Sequence, residues 1–204
     1  MPKSGAYMKA SSFGPLTLLL ATVLFATVLL AGTARAYEIQ TLETSRADKR
    51  FSIMLSAVVK LPIDEVYKRL TDFNNLSQLS PYVEESRHLD PDEAGDVIVY
   101  TRMRACVMFI CKTVRIFEAI TYPEKYQIVA NVIPARSELA YGQSRWTLSP
   151  QDGRTLLQYE AELEPGFDLF PLLGPSATEY SLKKQAKAFL AGLERPSGSE
   201  RQAE

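Results

Sequence analysis

Histidine, cysteine and tryptophan are the scarce residues of this 204-residue chain: one histidine, two cysteines and one tryptophan. So few soft ligands exclude a clustered Cys/His zinc site. A Ser-His-Asp triad would have to use His88, which lies in a polar, strand-like run beside no nucleophile motif. His88 therefore reads as a surface residue. There is no phosphate-binding loop, no metal-ligand spacing and no nucleophile elbow. No block of basic residues occurs either. Lys3, Lys9 and Arg35 are the bases of residues 1–36, where there is no acid, so the remainder is mildly acidic against a net charge of -1 for the whole. Nucleic acid is not an expected partner, and no cofactor or metal is expected.

What the first 36 residues do contain is a targeting pattern. Lys3 and Lys9 precede an uncharged apolar run, Leu16 to Ala31, and Ala34-Arg35-Ala36 supplies a small-x-small cleavage site. The expectation is a signal peptide over 1–36 and an exported product, periplasmic if the source is bacterial. The alternative is a retained N-terminal membrane anchor. Residues 37–49 are polar and aperiodic and read as a linker. Residues 196–204 read as a disordered tail.

Between them the chain reads as one domain, 50–195, without internal repeats. Phe51 to Val59 alternates as a strand. Pro62 opens a helix in which Ile63, Val66, Tyr67, Leu70 and Phe73 recur at helical spacing, with Asp64 and Glu65 at its N-terminal end. Leu76 to Leu79 adds one more turn. From Val83 the chain alternates through about six strands separated by turns, of which Pro150-Gln151-Asp152-Gly153 is a strong hairpin signal.

One strand-like run poses a problem. Asp96 to Ile120 contains no Gly, Pro or Asn, yet fully extended it would reach about 80 Å at ~3.3 Å per residue. It has to reverse, and Cys106 to Cys111 is the best place. A four-residue loop there sets the cysteines opposite each other, aligns Met103 with Val114 and Thr101 with Ile116, and predicts a Cys106–Cys111 disulfide. The apolar tip Val107 to Ile110 is a candidate for transient membrane contact. Folding back over a neighbouring loop is the plainer reading.

The last long segment, Pro175 to Arg195, is the only helix large enough to cover such a sheet. Leu182, Ala186, Phe189, Leu190 and Leu193 share one face, with Ser176 as the expected cap. The expected fold is α+β, an antiparallel sheet wrapped around its own C-terminal helix. The face assigned inward carries Thr101, Met103, Val114, Ile128, Ala130, Gly142, Ser144, Trp146, Tyr159 and Ala161. Four of these are Gly, Ala or Ser, which leaves room for a ligand unless large helix residues such as Phe189 fill the gap.

This order of elements resembles the START/Bet v 1-like superfamily, above all its polyketide cyclase/dehydrase and lipid-transport branch, which includes the coenzyme Q-binding proteins. The resemblance runs from Phe51 to Leu193. It rests on LPIDEVYKRLTDFNNLSQLSPYV after the first strand, GQSRWTL before the last hairpin, and PLLGP before the closing helix. It implies a helix-grip fold: a curved sheet around a long C-terminal helix with an apolar cavity between. It also implies a lipid, isoprenoid or quinone-like ligand, for which Phe73, Leu79, Met103, Trp146, Tyr159, Leu182 and Phe189 are the candidate lining residues. The expected function is non-catalytic carriage of such a molecule. The alternatives are a cyclase or hydrolase using Glu118 and Tyr159 for proton transfer, and an interaction module with a filled core.

Overall fold

A computed structural model describes residues 37–91, 95–107, 110–167 and 175–196. The expected signal peptide, the centre of the Val107–Ile110 tip, and all of the tail beyond Pro196 lie outside the described residues. Eight antiparallel strands form one curved sheet in the order β1-β2-β8-β7-β6-β5-β4-β3. They are β1 (Tyr37–Ala47), β2 (Arg50–Val59), β3 (Val83–Leu89), β4 (Val97–Val107), β5 (Ile110–Thr121), β6 (Gln127–Val132), β7 (Leu139–Gln151) and β8 (Arg154–Pro165). Helices α1 (Ile63–Thr71) and α2 (Leu76–Leu79) follow β2, and α3 (Pro175–Leu193) closes the chain.

The expected linker over 37–49 is corrected: most of it is strand β1, paired with β2 from Tyr37 opposite Val59 to Ala47 opposite Arg50. A bulge explains why its pattern reads as aperiodic. Ile39 faces Ala57 and Thr41 faces Ser56, so Gln40 is an extra residue that flips the alternation. Tyr37 and Ile39 lie in phase before the bulge and Leu42 in phase after it, and all three pack on the core.

The long run from Asp96 reverses where expected. Cys106 pairs with Cys111, Met103 with Val114 and Thr101 with Ile116, and the cysteines are disulfide-bonded. The reversal is tighter than a four-residue loop, because pairing continues to Val107 opposite Ile110. At the β7–β8 turn Asp152 and Gly153 both have positive φ, 50° and 72°, the conformation of a type I′ hairpin. His88 is exposed on β3.

Helix α3 starts one residue before the expected cap, at Pro175, where a missing N–H costs nothing. Its C-terminal end is the tightly held one. Leu190 and Leu193 are completely buried. The Arg69 guanidinium of α1 donates to the carbonyls of Leu193 at 2.7 Å and Arg195 at 2.5 Å, satisfying helix-end acceptors with a cation. Glu194 accepts from the Lys60 N–H. Gly192 lies against α2 so closely that a β-carbon there would stand 1.9 Å from the Leu79 carbonyl oxygen.

That contact yields a prediction. Gly192→Ala gains about 1 kcal/mol of helix propensity but forces α2 and α3 apart, with a net loss on the order of 2 kcal/mol or more. Urea denaturation measures it; an unchanged or raised midpoint would show that α2 yields without cost.

Candidate functional site

Alternation along β5 to β8 places side chains from neighbouring strands in rows on the inner face. One row runs Ile120, Ala130, Ser144, Ala161 and Ile53 from β5 to β2. Its three central members are small, so the middle of the sheet floor is low. Beside it Glu118 pairs with Val132, and Val132 leans over Gly142, where a β-carbon would come within 2.3 Å of its methyl group. The low floor leaves a cavity of about 310 Å³ under α3. That is at the lower end of the roughly 300–1,000 Å³ of small-molecule sites.

The walls are aromatic and aliphatic. Trp146 stacks on Tyr159 with ring centroids 4.0 Å apart, and Phe189 of α3 packs on Trp146 at 5.1 Å. Phe189 thus descends toward the floor but leaves the cavity open. Met103 and Leu182 complete the side nearest the disulfide hairpin, where the Ser181 hydroxyl donates to the Cys106 carbonyl. Phe73 and Leu76 line it from the α1–α2 segment.

Six of the seven expected lining residues, Phe73, Met103, Trp146, Tyr159, Leu182 and Phe189, do line the cavity. Leu79 does not. Its side chain is buried in the core while its carbonyl abuts Gly192, because the single turn of α2 sends Leu76 to the cavity instead. Of the inward-face residues only Val114 is off the cavity wall, although it too is buried. The sequence reading missed Leu76 and Leu70; the helical spacing of Leu70 and Phe73 was the available signal. All four small residues, Ala130, Gly142, Ser144 and Ala161, line the cavity.

Several polar side chains break the apolar lining, Thr101, Ser144, Gln185, Glu118 and Tyr159 among them. Glu118 opens onto the cavity from β5, between Val99 of β4 and Val132 of β6. It has no hydrogen-bond or ion-pair partner among the described residues, and burial pushes its carboxyl up to about 7. Tyr159 is raised above the usual phenol range by burial and then by the Glu118 charge, while its interaction with the Ser144 hydroxyl acts the other way. The two groups therefore border one cavity.

An acid with a raised folded-state value stabilises the fold fully below its unfolded value of 4.5, and that contribution is lost as pH rises through about 7. Relative to Glu118→Gln, the wild-type unfolding free energy is expected to fall by up to about 3 kcal/mol between pH 4.5 and pH 8.5. Urea unfolding of both proteins at both pH values checks this. Parallel stability profiles would mean that the carboxyl is hydrated rather than enclosed.

Among solved structures, the chain is similar in fold to a START superfamily protein from Mycobacterium smegmatis. The identity is 16% and the TM-score 0.56, over 70% of this chain and 94% of that one. It is similar to Zhui aromatase/cyclase from Streptomyces sp. R1128, 17% identical with TM-score 0.51, over 74% and 99% of the two chains. A STAR-related lipid transfer protein from Xanthomonas axonopodis is 16% identical with TM-score 0.50, over 76% and 99%. No curated protein matches the sequence. Residues 50–197 match the family model described as polyketide cyclase/dehydrase and lipid transport, and with the helix-grip fold this makes the chain a member of that START-superfamily family.

Proposed function

We propose that this protein is an exported binding and carrier protein for a hydrophobic small molecule, held between the sheet and α3. The observation that carries this reading is the 310 Å³ cavity walled by Trp146, Phe189, Met103 and Leu182. An apolar solute gains by leaving water for such a space, and a recessed apolar site suits carriage through an aqueous compartment. The open cavity speaks against an interaction module with a filled core. The size favours a compact or single-chain ligand. A catalytic reading has one observation behind it, the shared space of Glu118 and Tyr159. Proton transfer works best between groups that titrate near the working pH, and Tyr159 is pushed away from it. Carriage is the better reading.

Export rests on the n-region, apolar run and Ala34-Arg35-Ala36, and is supported by the Cys106–Cys111 bond, which suits an oxidising compartment. Cleavage after Ala36 would leave β1 whole, starting at Tyr37. Loading and delivery at a membrane surface through the Val107–Ile110 tip belongs to the same proposal. Intact-mass measurement on protein from its native host is expected to give a chain beginning at Tyr37; a mass retaining residues 1–36 overturns cleavage.

Trp146 is the sole tryptophan, so its emission reports directly on the cavity. The apolar dye N-phenyl-1-naphthylamine is expected to quench it by energy transfer. Native mass spectrometry after gentle purification is expected to show a lipophilic adduct. Ser144→Phe, which raises the floor, is expected to weaken dye binding about tenfold or more with the fold retained. No dye binding and no adduct would overturn carriage, and turnover of a bound ligand lost in Glu118→Gln would favour the cyclase-type reading.

A further inference from the structure

The Cys106–Cys111 bond lies where an external thiol can reach it. Met103 faces the cavity, so Arg104 and Cys106, one and three residues on, face the other side of the sheet. On that outer face the register sets Cys106 beside Cys111, Arg104 beside Thr113 and Arg102 beside Arg115. Cys111 is exposed and Cys106 half-buried, so access is from the Cys111 side. The surroundings are cationic. Arg102 is held by Glu84 and Glu85, and Lys112 and Arg115 share Glu138. Arg104 is exposed and has no ion-pair partner among the described residues. Nearby cations lower a thiol's pKa and draw an incoming thiolate, and thiol–disulfide exchange gains from both.

The same bond sits at a junction between sheet and roof helix. The Cys106 carbonyl accepts from the hydroxyl of Ser181, a buried residue of α3, and Gln185 donates to that hydroxyl at 3.3 Å. Leu182, next to Ser181, and Met103, three residues before Cys106, both line the cavity. The firm anchors of α3, from Arg69 and the packing of Leu190, Gly192 and Leu193, are all at its other end. The run from Asp96 to Ile120 contains no Gly, Pro or Asn, so the covalent bond rather than a turn residue specifies its reversal. Without the bond, the pairs from Ala105–Lys112 to Val107–Ile110 are the ones free to fray, and the carbonyl that holds Ser181 frays with them.

We propose that Cys106–Cys111 is an exchange site for an external dithiol, and that its reduction frees Ser181 and speeds exchange of the cavity's ligand. The effect on the ligand rests on the carrier reading; the exchange site and the Ser181 latch do not. A thiolate of the dithiol attacks Sγ of Cys111, the S–S bond breaks, and Cys106 leaves as a thiolate that takes up a proton. The second thiolate of the dithiol then attacks the reductant's own sulfur in the mixed disulfide and releases Cys111. Two electrons and two protons pass to the cysteine pair, and the dithiol ends as a disulfide.

The test compares the oxidised mature protein with the same protein treated with dithiothreitol and alkylated with iodoacetamide, without denaturant. Both cysteines are expected to become alkylated with the far-ultraviolet circular dichroism unchanged. Hydrogen exchange over residues 176–186, read by mass spectrometry, is expected to quicken about fivefold on reduction, the scale of one lost hydrogen bond. Exchange toward Leu193 is expected to stay as it was. Stopped-flow release of N-phenyl-1-naphthylamine is expected to quicken by the same factor. Ser181→Ala is expected to release the dye at the faster rate while oxidised, with no further gain on reduction. The oxidised and reduced wild type need no variant, so a misfolded mutant does not spare the proposal. A bond that resists dithiothreitol until the fold is denatured overturns the exchange site. A bond that opens without changing hydrogen exchange or dye release overturns the latch. Quickened hydrogen exchange with no dye bound in either state overturns carriage and leaves the latch standing.

Discussion

One helix covers eight strands, and the consequences of that shortage run through the molecule. A curved sheet of this width exposes more apolar face than a single helix can fill at native packing density. The helix is held most tightly at its C-terminal end. Leu190 and Leu193 are completely buried, Gly192 meets α2 backbone to backbone, and Arg69 binds the terminal carbonyls. Toward its N-terminus the same face, through Phe189, Ala186 and Leu182, looks into empty volume. Firm anchoring of one end is what allows the other to roof a cavity without collapsing into it.

The cavity floor shows how strand chemistry shapes that volume. Alternate positions on three adjacent strands are Ala130, Ser144 and Ala161, residues too short to meet α3. The large side chains lie around them: Trp146 and Tyr159 one row along, with Ile120 and Ile53 at the ends of the row itself. An apolar void of this kind sacrifices dispersion contacts that a filled core would have. Placing Glu118 in it, without a protein partner, adds the cost of a carboxyl partly removed from water. Both are stability losses concentrated at one place, which is how a ligand site differs from a core built for stability alone.

The sheet beyond the family domain serves the same end. Strand β1 lies outside the matched region 50–197, yet its Tyr37, Ile39 and Leu42 pack on the common core, and the Tyr37 hydroxyl donates to the Lys187 carbonyl of α3 at 3.4 Å. At the other side the disulfide-bonded hairpin reaches α3 through Ser181. The helix is thus flanked by β1 on one side and by the β4–β5 hairpin on the other. In the hairpin a covalent link takes the place of turn residues that the run from Asp96 to Ile120 does not contain.

Much of this was present in local pattern. The helical spacing of Leu182 to Leu193, the alternation of β7 and β8, the Asp152-Gly153 turn and the two cysteines flanking a reversal each follow from short-range geometry that a sequence displays directly. So did the small residues of the floor, because a strand's period of two assigns faces without knowledge of the partner. Strand β1 was not legible, since a single extra residue at Gln40 reverses the alternation and only pairing with β2 shows where. Leu79 was misplaced and Leu76 overlooked because one helical turn has no periodicity to read; contact with Gly192 decided which of them faces the cavity. The meeting of Glu118 with Tyr159 was decided by tertiary structure alone. They lie on strands separated by two others, and only the curvature of the sheet and the low floor between bring the two groups to the wall of one cavity.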